Sequence, residues 1–201
     1  MRQSIVLILL LLAPVLAIAQ TGEEYFDKGM AKAEKGDWRG ALQDYNKAIE
    51  LNPSLAEAYV NRGIAKGELG DYKVEIQDYD KAIELNPSLA EAYINRGIAK
   101  GKLGDYKGER QDYKKAIELN PTDVDAYLNM GVAKGRSGDF KGAIQDFNKV
   151  IEINPKDAEA YGARGIAKIN LGQKESGCQD LSKAGELGAI QANDAMKHFC
   201  Q

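Results

Sequence analysis

From residue 56 onward, apolar residues recur at helical spacing in short paired runs. Over 56–68, Tyr59, Gly63 and Ile64 share one helical face. Gly70 ends that run in the conformation a C-terminal cap favours, and Asp71 is placed to open a second. The apolar positions of the second run, Tyr72, Ile76, Tyr79, Ala82, Ile83 and Leu85, fall three or four residues apart. Pro87 forbids its continuation. Upstream, Ser54 and Glu57 have the spacing of a capping box. The pattern predicts two helices folded back on one another, with a single buried face.

The same hairpin is written several times. Glu50-Leu51-Asn52-Pro53 returns as Glu84-Leu85-Asn86-Pro87, as Glu118-Leu119-Asn120-Pro121 and as Glu152-Ile153-Asn154-Pro155. Tyr25, Tyr59, Tyr93, Tyr127 and Tyr161 keep the same 34-residue step, as do Gly29, Gly63, Gly97, Gly131 and Gly165. A strict period of 34 marks the tetratricopeptide repeat. The units resemble the bacterial Tyr-x-Asn-Arg-Gly variety of that family, over 22–187. The resemblance implies an all-α fold, a right-handed α-solenoid of about 4.5 hairpins. Its repeats would span 22–55, 56–89, 90–123, 124–157 and a degenerate 158–187. A capping helix over 189–201 is expected to follow, its apolar stripe formed by Ala192, Ala195, Met196 and Phe199.

Residues 1–19 have a different character. Arg2, the apolar run Ile5–Leu16 and Ala17-Ile18-Ala19 form a secretory signal, with the mature chain beginning at Gln20. An uncleaved anchor is the alternative, although Pro14 interrupts a run shorter than a membrane needs. The expectation is export to the periplasm or the medium, with membrane contact only if the signal stays. Net charge is −3, with no basic surface of the kind nucleic acid requires.

Departures between copies direct attention to particular residues. Glu75 and Glu109 stand where Ala41 and Ala143 stand, and each needs a cation or solvent. Arg62, Arg96, Lys66 and Lys100 are the candidates. Arg62, Arg96 and Arg164 also face Asp78, Asp112 and Asp180 as pairing partners. Repeat three carries Arg110 at an apolar position and Gly108 inside its second helix. It should be the soft spot, with Tyr106, Tyr113, Ala116 and Ile117 as its remaining core. Gly67, Gly101 and Gly135 allow either close helix packing or an open groove floor.

By resemblance, first helices line a concave groove that binds peptides. Here it would present Asn61, Asn95 and Asn129, with Ile64, Ile98 and Val132 and, beside them, Val60, Ile94 and Leu128. An asparagine amide can donate to and accept from a peptide bond. Glu57, Glu91, Asp125 and Glu159 read as capping acids, with an acidic groove as the other meaning. The family's carboxylate clamp is lost, because its lysine positions carry Glu23, Glu57 and Glu91. Nothing resembles a catalytic constellation around the single histidine, His198, and no cofactor or metal motif is present. The expected function is a non-catalytic scaffold for a protein or peptide. The alternative is an envelope component that uses its edges. Cys178 and Cys200 lie ten and twelve residues either side of Gly188, level across an antiparallel pair. They would form a disulfide, or else Cys178 is a buried free thiol.

Overall fold

A computed structural model describes residues 22–200, so the expected signal segment lies outside the described residues. Every regular element among them is a helix. They form two compact units, divided between Leu103 and Gly104. The first contains α1 (22–33), α2 (Trp38–Leu51), α3 (Ala56–Glu68), α4 (Tyr72–Leu85) and α5 (Ala90–Lys102). The second contains α6 (Tyr106–Leu119), α7 (Val124–Arg136), α8 (Phe140–Ile153), α9 (Ala158–Asn170), α10 (Lys174–Glu186) and α11 (Ile190–Phe199). Within each unit successive helices pack against one another.

The repeat glycine seats the aromatic of the second helix. A Cβ on Gly63 would stand 2.6 Å from Tyr79 Cε1, and one on Gly131 2.6 Å from Phe147 Cε1. Such contacts require a bare backbone. Buried alanines fill the remaining interface, among them Ala65, Ala82, Ala116 and Ala133. In the last hairpin Leu181 takes the aromatic's place and, with Ala184, covers Ala192 of α11.

Helix starts depart from the expected capping boxes. The Ser54, Ser88 and Thr122 hydroxyls donate to the Asn52, Asn86 and Asn120 side chains, at 2.7, 2.6 and 3.0 Å. They therefore close the turn after each second helix, and Leu55 and Leu89 occupy the caps with no side-chain bond. At α7 and α9 the caps are Asp123 and Asp157, which accept from Ala126 and Ala160 N–H. Asp71 is at its predicted position but makes no capping bond. Asp37, Asp105 and Asp139 do, accepting from Gly40, Gly108 and Gly142. A Cβ at Gly40 or Gly142 would run into the capping carboxylate, and Val74 carries that Cβ below Asp71. Gly108 thus lies in the first turn of α6 and receives a cap, rather than weakening the middle of the helix.

Candidate interaction surfaces

The polar framework that holds the first helices is built from buried aspartates. Arg62 grips Asp78 with two bonds, Nε–Oδ2 3.0 Å and Nη2–Oδ1 2.6 Å, and Arg164 grips Asp180 at 2.8 and 2.7 Å. Each guanidinium also reaches the preceding second helix, Arg62 to Asn46 and Arg164 to Asn148. Within the first unit Arg96 bonds Asp80 in the same way, at 2.6 Å. A lysine, not expected from the sequence, also serves these aspartates. Lys32, Lys66, Lys134 and Lys168 pair with Asp44, Asp78, Asp146 and Asp180 at 2.6–2.7 Å. The lysine always precedes its aspartate by twelve residues. Where Met130 replaces the arginine, Lys134 alone serves Asp146, and burial raises that carboxyl's pKa. These side chains are committed to each other and anchor the surface rather than form it.

The two anomalous glutamates find their cations elsewhere. Glu109 pairs with Arg136, and Glu75 feels Lys102. Both cations sit in the last turn of the first helix of the next repeat, whereas Arg62, one of the candidates named from sequence, is taken by Asp78. Lys66 is taken by Asp78. The cations also lie over aromatic rings, Lys102 over the half-buried Tyr72 and Arg136 over Tyr106. Tyr106 is 51% exposed and does not belong to the core. A signal for this pairing exists in the chain. Ala41 and Ala143 are matched one repeat on by Glu68 and Asn170, while Glu75 and Glu109 are matched by Lys102 and Arg136.

Burial pushes the Glu75 carboxyl up to about 7, with Lys102 opposing and Asp71 and Glu68 adding to the rise. Gly67 makes room for this side chain, since a Cβ there would overlap Glu75 Oε2. At least at Gly67, the glycine serves close packing rather than an open groove floor. Sister hairpins trade size across the same contact. Ala33 is registered with Ala41 and Gly135 with Ala143, while Ile169 is set against Gly177.

Of the expected groove residues, Asn61, Asn95 and Asn129 are all half-buried. Asn61 Nδ2 donates to Glu57 O at 3.0 Å and Asn129 Nδ2 to Asp125 O at 2.8 Å. One N–H and the Oδ1 of each amide remain to meet a ligand. Ile64 packs partly on the Tyr59–Tyr79 core, Ile98 is half-buried and Val132 is 43% exposed. Val60 and Ile94 were expected in the groove but are core residues, 2% and 8% exposed.

An opening that the sequence reading did not single out lies between α9 and α11. It is a groove of about 590 Å³ floored by Gly162, Ala163, Ile166 and Leu181, with Glu159 and Gln191 in its walls. Gly162-Ala163 stands in register with Val60-Asn61, Ile94-Asn95 and Leu128-Asn129. Removing those two larger side chains opens the space. Cys178 and Cys200 come to disulfide-bonding distance, their Cα atoms 5.8 Å apart, and so tie α10 to the end of α11. His198 lies on α11 beside the Phe199 ring. Among the described residues there is no helix long and apolar enough to cross a membrane and no cluster of metal ligands.

Family models described as TPR repeat and tetratricopeptide repeat match residues 22–70, 68–104, 102–138, 124–157 and 147–179. The chain belongs to the tetratricopeptide repeat family. Its structure is similar to that of the MamA protein, at 28% identity and a TM-score of 0.72, over 87% of this chain and 95% of that one. It is also similar to YrrB, described as a TPR protein with an unusual peptide-binding site. There the identity is 25% and the TM-score 0.70, over 86% of this chain and 90% of the other. PilF of Pseudomonas aeruginosa, 18% identical with a TM-score of 0.79 over 86% and 78%, shares the fold. No curated protein sequence matches the chain.

Proposed function

We propose that the chain is an exported, non-catalytic scaffold that holds a protein or peptide segment against its first helices. The observation that carries this reading is the open groove of the last hairpin, where Ile166 is exposed and Gly162-Ala163 leave room for a side chain. The likeness to YrrB, a peptide-binding relative of the same family, supports it. Asn61, Asn95 and Asn129 supply amides for a bound backbone, and Ile64, Ile98 and Val132 supply apolar contact. No cofactor enters this function.

The test begins with crosslinked capture from the native envelope and identification of the partner by mass spectrometry. Titration then compares wild type with Asn61→Ala/Asn95→Ala/Asn129→Ala and with Gly162→Leu/Ala163→Asn, which copies the Leu128-Asn129 pair. The triple change should weaken binding by roughly two orders of magnitude if the terms add. The filled groove should also bind more weakly, with unchanged circular dichroism in both. Undiminished affinity in folded variants would move binding to the edges of the array. Export is read separately, from the N-terminal mass of the native protein. The expected mature chain starts at Gln20, and an intact Met1 in the membrane fraction would overturn it.

A further inference from the structure

The substitution at position 110 leaves a charge with nothing to do. Leu42, Ile76 and Ile144 occupy this register in sister repeats and pack onto the cores of their own hairpins. Arg110 instead lines a cavity of about 320 Å³ with Tyr106, Ala133, Arg136 and Ser137. It is partly buried, and no hydrogen bond, ion pair or ring contact engages it among the described residues. No carboxylate lines the cavity. Glu109, the residue before Arg110, is held by Arg136 through Nη2, leaving the Nε and Nη1 donors of that guanidinium. Of the two arginines lining the cavity, Arg136 is paired with Glu109 and Arg110 is not paired among the described residues.

A partly desolvated guanidinium without a partner is a costly group, and its fork of donors matches a carboxylate in two places. Partial exclusion of water strengthens that pairing over the same pair on open surface. We propose that the cavity between α6 and α7 is a carboxylate-binding site, filled by an acidic side chain or a chain terminus of a bound polypeptide. Arg110 makes the paired bonds, and Arg136 adds a donor while keeping Glu109. The site uses a second helix and the end of a first helix. None of the expected groove asparagines lines it, so its failure would leave the scaffold reading standing.

The experiment uses the full mature chain and follows the Arg110 Nε–Hε resonance by NMR. Three tripeptides are titrated at fixed ionic strength: blocked Ala-Glu-Ala, blocked Ala-Gln-Ala, and N-acetylated Ala-Ala-Ala with a free C-terminus. Saturable displacement by the glutamate peptide, at least about tenfold tighter than the glutamine peptide, is expected for a side-chain ligand. The same preference shown by the free-terminus peptide alone assigns the carboxylate to a chain end. Arg110→Ile restores the residue of repeats two and four, so it should fold. In it, both carboxylate peptides should fall to the level of the glutamine peptide, read from Ala133 and Ser137 amides. Equal response to all three peptides, or binding retained in Arg110→Ile, would overturn the proposal.

Discussion

Reducing the Cys178–Cys200 pair in the oxidised protein is expected to lower the stability of the last hairpin and its cap by roughly 3 kcal/mol. The bond closes a loop between positions 22 residues apart, and opening it restores conformational freedom to the unfolded segment. The loss should concentrate in α11, which rests on α10 mainly through Ala192, Ala195 and Met196 packed on Leu181 and Ala184. Ten residues of helix with so small an apolar face have little else to hold them. Urea unfolding with and without reductant measures the difference, and amide hydrogen exchange locates it. The double variant Cys178→Ile/Cys200→Ser separates the bond from the packing of position 178, because isoleucine fills that register in repeats two and four. Identical urea midpoints for oxidised and reduced protein would rule out a stabilising staple. α11 also walls the groove at Gln191 and Ala192, so reduction should loosen that site as well.

The second large effect concerns Glu75. Its folded pKa is raised above the ordinary carboxylate value, to about 7, chiefly by burial. Between the unfolded value near 4.5 and the folded value, the folded chain binds more protons than the unfolded one. The stability this group contributes is therefore full below that window and is lost as pH rises through it. The size is about 3 kcal/mol. Asp146 is shifted in the same direction, so it keeps part of the slope. Glu75→Ala copies Ala41 and Ala143, and should stabilise by about 2 kcal/mol at pH 8 while changing little at pH 5. Equal gains at both pH values would mean that the carboxyl's charge is not the cause. Gly67→Ala gives a sharper test. In the wild type the new Cβ presses on Glu75 Oε2 and should destabilise. In the Glu75→Ala background the pair becomes that of Ala33 and Ala41, and the same change should stabilise by about 0.5–1 kcal/mol. Urea midpoints for the four proteins would show whether the sign reverses.

The period of 34 made the helices legible, because apolar spacing and the Gly70, Asp71 and Pro87 signals all act within one hairpin. The Arg62–Asp78 and Arg164–Asp180 pairs were also readable, since both members recur in register. What escaped depends on the neighbouring hairpin or on direction around the helix axis. Val60 and Asn61 are adjacent in sequence, yet the first is buried in the core and the second is half-exposed. Tyr106 keeps the aromatic pattern of a core residue but serves as the platform under Arg136. Ser54 and Glu57 satisfy a capping rule that a competing bond to Asn52 pre-empts. The groove by Gly162 arises from what two side chains lack, and periodicity records such a loss only as degeneration.

The dependence of Glu75 on Lys102, and of Glu109 on Arg136, bears on how such a chain can change over time. Arrays of this kind grow and shrink by copying or dropping whole units, a process that treats the units as interchangeable. Here they are not. If the third repeat were deleted, Glu75 would meet Arg136 and keep a cation. If the first repeat were copied in behind the second, Glu75 would face an acid, because Glu34 holds the place of Lys102. Some recombinants are thus tolerated and others penalised by their order alone. The junctions carry a grammar in which certain units can follow only certain others.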